Sequence, residues 1–476
     1  MIKVLLINAP VLHNPISHRS THFPLASLSL ATLLKREQIQ VTVLDAGNIF
    51  ARNAYGSPEL ANYVQHELIG QVRGLQPDVI GIGAVFSGAF GPLRMFAESI
   101  KASFPSIPIV IGGIHATIFA DEILKQYPFI DFVIKGEGEY TFLELVRRID
   151  SGQSIADIDG LAYRQSGEVK VNPKQSFISD LDALPPPDYD LIDVSEYSFD
   201  TSEWYSPKGL PIGQPFPILS SRSCPNRCTF CSMWLVHGPK FRARSAKHVV
   251  DEIEMLYNKY GVKFFEFMDD NLTFNKTRIL DICNDIIGRN LNIQFSTPNG
   301  VAINKLDQEV VDAMVDAGLV RVALAVEHGS DYIRKHVIRK PLGTEKVYQV
   351  AEACAKHKNL FIIGYFVVGM PQETSETLEA TFNIIQKLPL DHFQINWATP
   401  YPGTELFRYC MEHNLLSGKE EDYMTTEHLH YNTAKPHFKP HAVDMEELIA
   451  FKNKCFDIIK NKKTRLGLAY NVPMRT

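Results

Sequence analysis

Short apolar runs alternate with stretches of helical periodicity over the first 150 residues of the chain. Several of these runs are apolar at consecutive positions, which is typical of strands buried on both faces of a parallel sheet. Together they predict an α/β domain with a doubly wound, flavodoxin-like or Rossmann-like parallel sheet, whose ligands bind beyond the carboxyl ends of the strands. The predicted strands are Lys3–Ile7, Gln40–Leu44, Val79–Ala84, Ile109–Ile111 and Asp131–Ile134, and the predicted helices are Leu25–Arg36, Ser57–Leu75, Gly91–Ser103 and Ala120–Gln126.

A second series of strands and helices begins at Pro217 and ends near residue 400. Such alternation over about 180 residues predicts a partial barrel of the (β/α)6 TIM type, with its chemistry at the carboxyl ends of the strands. The predicted strands are Ile218–Ser221, Lys263–Met268, Ile293–Thr297, Val320–Val326, Phe361–Val368 and His392–Trp397, and the predicted helices are Val249–Tyr260, Lys276–Gly288, Gln308–Ala317, Thr344–His357 and Glu373–Lys387.

The residues between and after these two series have a different pattern. Leu161–Arg164 and Val169–Val171 flank Ser166-Gly167 and predict a β-hairpin, and three consecutive prolines follow at residues 185–187. The tail is less regular, with a predicted helix over Met445–Lys460 in a small helical region. We therefore predict an amino-terminal domain over 1–150, a linker with a hairpin over 151–216, a barrel over 217–400 and a C-terminal extension over 401–476.

The composition is that of an ordinary globular protein, since the 476 residues are 45% hydrophobic and 21% charged. A formal net charge of −6 argues against a nucleic-acid partner, which usually needs a basic face. The longest stretch without Asp, Glu, Lys or Arg, Ala102–Ala120, is interrupted by prolines and glycines, so no membrane span is predicted. We expect a cytoplasmic protein.

Three of the seven cysteines fall close together, and the other four are scattered. This spacing does not predict a disulfide framework. Cys224, Cys228 and Cys231 form a C-x3-C-x2-C pattern directly after the first strand of the predicted barrel. Three thiolates on one short loop suit a metal centre that leaves one metal position open. A zinc site completed by His237 and a set of unrelated buried cysteines are the alternatives.

With this pattern the chain resembles the radical SAM superfamily. Its members hold a [4Fe–4S] cluster on three such cysteines and cleave S-adenosylmethionine (SAM) reductively to a 5′-deoxyadenosyl radical. The likeness continues at the ends of later predicted strands, in Phe267–Thr273, Glu327–Ser330 and Gly369–Glu373. The two aspartates of the first segment have an alternative role as caps of the helix that follows. The resemblance implies contacts with SAM for Phe230, Asp269, Asp270 and Glu327.

Ahead of such a barrel, the amino-terminal domain resembles the cobalamin-binding domain of cobalamin-dependent radical SAM enzymes. Pro24–Leu33, Gly112–Thr117 and Lys135–Glu139 carry this likeness. The chain has no Asp-x-His-x-x-Gly motif to supply a histidine to cobalt, in agreement with this group of enzymes. Tight turns and an ordinary loop histidine are the alternatives for these residues. The resemblance implies cobalamin contacts for Gly112, Gly113, His115, Gly136 and Glu137.

The resemblance further implies an enzyme that acts on a small molecule of the natural-product or lipid type. With cobalamin, the expected reaction is methyl transfer to an unactivated carbon or phosphorus, in which the adenosyl radical abstracts hydrogen and methylcobalamin delivers the methyl group. The protein would orient the reactants and exclude water, and flavodoxin or ferredoxin would donate electrons. Some relatives keep the domain without the cofactor, so a cobalamin-free dehydratase, cyclase or rearrangement enzyme is the first alternative. A cobalamin or redox sensor is an alternative of another class.

Overall fold

In the computed structural model the chain forms two compact units, which are described separately. The structure describes residues 2–12, 23–53, 55–83, 87–197, 213–416, 423 and 435–461, so Ala84 of one predicted strand and residues 198–212 of the predicted linker lie outside it. The first unit comprises residues 1–200, 235–238 and 419–428, and the second comprises the remainder. Among the described residues, no helix combines the length and apolar character that a membrane crossing requires.

The first unit is built on a seven-stranded sheet. Its strands are β1 (Lys3–Asn8), β2 (Gln40–Asp45), β3 (Val79–Gly83), β4 (Ile109–Gly112), β5 (Phe132–Ile134), β6 (Leu161–Gln165) and β7 (Glu168–Val171). They lie in the order β2-β1-β3-β4-β5-β6-β7, and β1 to β5 pair in parallel. This confirms the predicted doubly wound parallel sheet. The predicted hairpin forms as β6 and β7, and it lengthens the sheet because β6 pairs antiparallel with β5.

Helices cover both faces of this sheet, and the burial along β1 shows why its apolar residues are consecutive. Leu5 and Ile7 lie in one apolar core, whereas Val4 and Leu6 lie in another on the opposite face. The predicted helix over residues 57–75 forms as two helices joined by a π-helical turn at Val64–Leu68. The helices are α1 (Leu25–Arg36), α2 (Ala46–Asn53), α3 (Ser57–Tyr63), α4 (Ile69–Leu75), α5 (Phe90–Ser103), α6 (Ile114–Ile118), α7 (Ala120–Gln126) and α8 (Glu139–Ser151).

The second unit is built on a six-stranded parallel sheet, which confirms the predicted series of strands and helices. Its strands are β8 (Phe216–Ile218), β11 (Phe264–Phe267), β12 (Gln294–Val301), β13 (Leu319–Glu327), β14 (Phe361–Val368) and β15 (His392–Trp397). They lie in the order β15-β14-β13-β12-β11-β8, as in a partial barrel whose edge strands are the first and the last. A separate antiparallel pair consists of β9 (Ser221–Arg222) and β10 (Arg242–Ala243).

Helices connect these parallel strands, so the carboxyl ends of all six strands meet at one edge. The loops after β8, β11 and β13 therefore lie at the same edge, and they contain the residues that the sequence singled out. The helices of this unit are α10 (Ala246–Tyr260), α11 (Lys276–Gly288), α12 (Gln308–Asp316), α13 (Thr344–Ala355), α14 (Ser375–Lys387), α15 (Glu405–Glu412) and α16 (Met445–Asn461), and a short helix, α9 (Met233–His237), has residues in both units.

Candidate active site

The cysteine loop follows β9 and is fixed to two other segments of the second unit. Thr229 lies between the second and third cysteines of the loop. Its N–H donates to Ile338 O at 3.0 Å, and its hydroxyl donates to Val337 O at 3.0 Å. Thr229 O accepts from the Leu406 N–H at 2.8 Å. These bonds hold the backbone that carries the thiols.

All three cysteines of the loop carry free thiols that are partly buried. Burial raises the pKa of the Cys231 thiol to about 11, and it also raises the pKa of Cys228. The nearby Lys340 ammonium opposes this rise at Cys228. Thiols in such surroundings ionise when a cation binds them, so this donor set fits a metal centre with thiolate ligands.

One side chain outside the loop contacts a loop sulfur directly. The Asn271 Nδ2 donates to the Cys224 Sγ at 3.3 Å. Asn271 follows β11 and is only 2% exposed, and its Oδ1 has no hydrogen-bond partner among the described residues. Sequence reasoning did not assign this residue a role. The available signal was its place in a polar segment at the end of a barrel strand.

Glu327 ends β13 and forms a buried ion pair that sequence reasoning missed. The Lys340 Nζ donates to Glu327 Oε1 at 2.7 Å and to the backbone oxygen of Ala325 at 2.7 Å. The Glu327 and Lys340 side chains are 12% and 9% exposed. Glu327 also has a φ of +67° at a bulge in the pairing of β13 with β14, a conformation that non-glycine residues rarely adopt. A buried acid with a strained backbone and a cationic partner is typical of functional positions.

The residues after Glu327 are held by a buried polar network. The His328 Nδ1 accepts from the Ser330 N–H at 3.0 Å, which leaves the ring proton on Nε2. Nε2 therefore donates to Glu373 Oε1 at 3.1 Å, and both side chains are fully buried. Glu373 also accepts from the Gly369 N–H at 3.0 Å. The segment that ends at Glu373 thus fixes the turn in which Glu327 lies.

Asp269 and Asp270 tie the loop after β11 to the residues that precede the cysteines. Asp269 is fully buried and accepts hydrogen bonds from two serine hydroxyls, among them that of Ser220 at 2.7 Å. Burial raises its pKa. Asp270 Oδ2 accepts from the Ser223 N–H at 3.1 Å. The alternative that either aspartate caps the next helix is wrong, because Asn275 caps α11. A contact between these aspartates and SAM stays a prediction.

Phe230 stands directly before the third cysteine of the loop and is partly buried. It packs against an apolar cluster that includes Ile338 and Leu406, two of the residues that anchor the loop. Cys228 packs against the same cluster. Phe230 therefore belongs to the support of the cysteine loop, and its contact with SAM stays a prediction.

The described residues do not support either alternative for the cysteines, a zinc site completed by His237 or a set of unrelated buried cysteines. The His237 Nδ1 lies 3.7 Å from Glu137 Oε1. No group of three or more His, Cys, Asp or Glu in the described ranges is arranged to hold a single metal ion, so a zinc site completed by His237 is not found there. The three loop cysteines are partly exposed, whereas the scattered cysteines are buried: Cys283, Cys354, Cys410 and Cys455.

In the first unit, two paired glycines leave the carboxyl edge of the sheet open as far as the described residues go. Gly83 ends β3 and Gly112 ends β4, and the two are partners in the strand register. Among the described residues, a Cβ at Gly83 would meet nothing within 4 Å, and a Cβ at Gly112 would meet only Ile134 O at 3.9 Å. Gly113 follows with a φ of +114°, which glycine adopts readily. This bare surface fits a broad, flat ligand that lies against the backbone.

The other three residues singled out in this unit are packed against protein. His115 lies in α6, not in a loop, and its ring is 4.2 Å from that of Phe90 between centroids. Burial lowers the pKa of His115 to about 3. A Cβ at Gly136 would lie 3.1 Å from the Lys174 side chain, and Glu137 Oε2 accepts from the Ile178 N–H at 2.8 Å. Their contacts with cobalamin stay predictions.

Two protein-family models match the chain. The model described as the radical SAM superfamily matches residues 218–385, and the model described as the B12 binding domain matches residues 16–146. The first match contains the cysteine loop and the Glu327–Lys340 pair, and the second contains the open edge at Gly83 and Gly112.

Several curated proteins match most of the chain, and two of them are methyltransferases by name. An uncharacterized methyltransferase of Pyrococcus horikoshii is 34% identical over 345 residues, which are 72% of this chain and 72% of the relative. The cytidylyl-2-hydroxyethylphosphonate methyltransferase of Streptomyces wedmorensis is 28% identical over 462 residues, which are 89% of this chain and 84% of the relative.

A solved structure shows the same fold. The radical S-adenosylmethionine methyltransferase TsrM of Kitasatospora setae, solved with cobalamin and a [4Fe-4S] cluster bound, has a TM-score of 0.66 and 20% sequence identity. The match covers 87% of this chain and 78% of that one. From the family models and the Pyrococcus relative, we conclude that the chain belongs to the radical SAM superfamily of enzymes, with a B12-binding domain ahead of its radical SAM domain.

Proposed function

We propose that this enzyme is a cobalamin-dependent radical SAM methyltransferase that transfers a methyl group to an unactivated carbon or phosphorus of a small molecule. One observation carries the proposal: three thiols on a fixed loop lie at the carboxyl edge of the second sheet, within a chain that also matches the B12 binding domain. Both curated relatives described above are methyltransferases by name, and one of them acts on a phosphonate. The names of these two relatives favour methyl transfer over dehydration.

In this proposal Cys224, Cys228 and Cys231 are the ligands of a [4Fe–4S] cluster. When bound, the cluster supplies the electron for the cleavage of SAM, and cobalamin supplies the carrier for the methyl group. The chain fixes the thiols through the backbone bonds of Thr229 and neutralises part of their negative charge through Lys340. An external donor such as flavodoxin or ferredoxin provides the electron, which agrees with a cytoplasmic location.

The residues around the loop are assigned to SAM by their chemistry. Lys340 binds Oε1 of Glu327, so the other carboxylate oxygen, Oε2, is assigned to accept a hydrogen bond from a ribose hydroxyl. Phe230 packs near the adenine, and Asp270 faces the amino group. Asp269 is fully buried and accepts hydrogen bonds from two serine hydroxyls, so it fixes the loop in which Asp270 lies.

Cobalamin is assigned to the carboxyl edge of the first sheet. Gly112 and Gly113, together with Gly83, let the corrin or its nucleotide tail lie against the backbone. His115, Gly136 and Glu137 form the loops and the short helix beside this edge. The proposed domain division remains 1–150, 151–216, 217–400 and 401–476.

The proposal is tested on protein purified without oxygen and supplied with iron, sulfide and SAM. The wild-type chain is expected to bind about four iron atoms and to form 5′-deoxyadenosine when dithionite reduces it. A variant with alanine at all three loop cysteines is expected to lose both properties, and a variant with alanine at Cys283 is expected to keep both. Full retention of iron and sulfide by the triple variant would refute the cluster assignment.

A further inference from the structure

Among the described residues, the Asn271 side chain has one hydrogen bond, and its partner is a sulfur of the cysteine loop. Its side chain is 2% exposed, and its Nδ2 lies 3.3 Å from the Cys224 Sγ. Its Oδ1 has no hydrogen-bond partner among the described residues. Burying an amide with an unsatisfied oxygen costs free energy. Fold stability therefore does not account for an asparagine at this position.

The neighbouring polar residues differ from Asn271 in this respect. Asp269 accepts hydrogen bonds from two serine hydroxyls, and the Thr273 hydroxyl donates to Ala302 O at 3.4 Å. These side chains connect strand ends to each other. Within the described part of the chain, the Asn271 amide bonds only to the Cys224 thiol, so this bond acts on the properties of the sulfur.

We propose that Asn271 is a positioning residue whose N–H···S bond to Cys224 raises the reduction potential of the cluster. The inference rests on the proposed function, because it requires an iron–sulfur cluster on these thiolates. Reduction adds one electron to the cluster, and part of that charge falls on the ligand sulfurs. A donor aimed at one of those sulfurs stabilises the reduced form more than the oxidised form, as hydrogen bonds to cluster sulfurs generally do.

The test is a potentiometric titration of the reconstituted protein without SAM, with dithionite as reductant and the reduced cluster followed by electron paramagnetic resonance. Asn271→Leu keeps the size of the side chain and removes the donor. At a fixed solution potential it is expected to lower the ratio of reduced to oxidised cluster about tenfold, which is a shift of about 59 mV for a one-electron couple. Asn271→Asp, which also removes the donor and adds negative charge, is expected to shift the potential in the same direction.

Thr273→Val is the matched control, since it removes a buried hydroxyl from the same loop without touching a cysteine. It is expected to leave the potential unchanged. An unchanged potential in Asn271→Leu and Asn271→Asp would overturn the inference, and so would an equal shift in Thr273→Val. If the wild-type protein forms no cluster, the proposed function itself fails. A lowered potential in the two Asn271 variants alone would support the inference.

Discussion

Replacing Lys340 with methionine is expected to destabilise the second unit by about 3–5 kcal/mol, the usual cost of removing one partner of a buried ion pair. The side chains of Lys340 and Glu327 are 9% and 12% exposed and lie 2.7 Å apart. Methionine fills a similar volume, but it leaves the Glu327 carboxylate without its cation. It also leaves the Ala325 carbonyl without the donor that it has now. The loss comes mainly from this uncompensated charge.

A second substitution separates the charge from the packing. In the double variant Glu327→Gln, Lys340→Met the charge is gone, so most of the lost stability is expected to return. Lys276→Met is the matched control, because Lys276 pairs with Asp307 and Glu309 at the surface. It is expected to leave the unfolding midpoint unchanged.

The assay is urea unfolding of the cluster-free protein under anaerobic conditions, followed by tryptophan fluorescence. Trp234 and Trp397, two of the three tryptophans of the chain, belong to the second unit, so their fluorescence reports on the unit that contains the ion pair. The free energy of unfolding is compared among the wild type, the single variant and the double variant. An exposed ion pair contributes up to about 1 kcal/mol. If Lys340→Met lowers the free energy of unfolding by less than this, the pair is not buried as described. Equal losses in the single and double variants would contradict the role of charge.

Three further predictions follow from the two sites. Glu327→Gln is expected to weaken SAM binding about tenfold or more while iron content is unchanged, because it removes a charged acceptor of a hydrogen bond, and equilibrium dialysis with labelled SAM measures this. Gly112→Leu is expected to abolish cobalamin uptake. The control Gly74→Leu, at an equally open glycine before the amino end of β3, is expected to retain it. Equal uptake by both variants would contradict the assignment of cobalamin to this edge of the sheet. The pKa of His115 is lowered to about 3 in the folded protein, whereas it is about 6.5 in the unfolded chain. Below pH 6.5 the unfolded chain therefore binds a proton that the folded protein does not, and the free energy of unfolding falls as the pH falls toward 3. By pH 5 the loss is about 2 kcal/mol, and His115→Phe is expected to remove that part of the pH dependence of unfolding measured by circular dichroism.

The sheets could be predicted from the sequence because their strands are buried on both faces. In β1 the residues Val4 to Ile7 alternate between two apolar cores, so the run is apolar throughout and its strand is evident. The cysteine loop could be predicted because its spacing is local. The loop follows the first barrel strand, and the carboxyl ends of parallel strands all lie at one edge of the sheet, so its location in the fold could be predicted as well.

The partners of these residues could not be predicted, because they are distant in the sequence and follow no local pattern. Lys340 lies within an ordinary basic stretch, and only the fold brings its ammonium to Glu327. The Asn271 amide reaches a cysteine 47 positions away. The place of His115 in the short helix α6, with its ring beside Phe90, also had no local signal, and its contact with cobalamin stays a prediction from the resemblance of Gly112–Thr117.

The central claim is that one chain holds both an iron–sulfur cluster and cobalamin, and the cobalamin content tests it most directly. The unmodified protein is purified without oxygen from cells supplied with cobalamin, and it is then dialysed to equilibrium against the free cofactor. We predict about one cobalamin per chain at saturation, with an unchanged iron content and 5′-deoxyadenosine formed on reduction with SAM. A protein that retains no cobalamin and still forms 5′-deoxyadenosine with its substrate would contradict methyl transfer, and it would leave the cobalamin-free dehydratase, cyclase or rearrangement enzyme in its place.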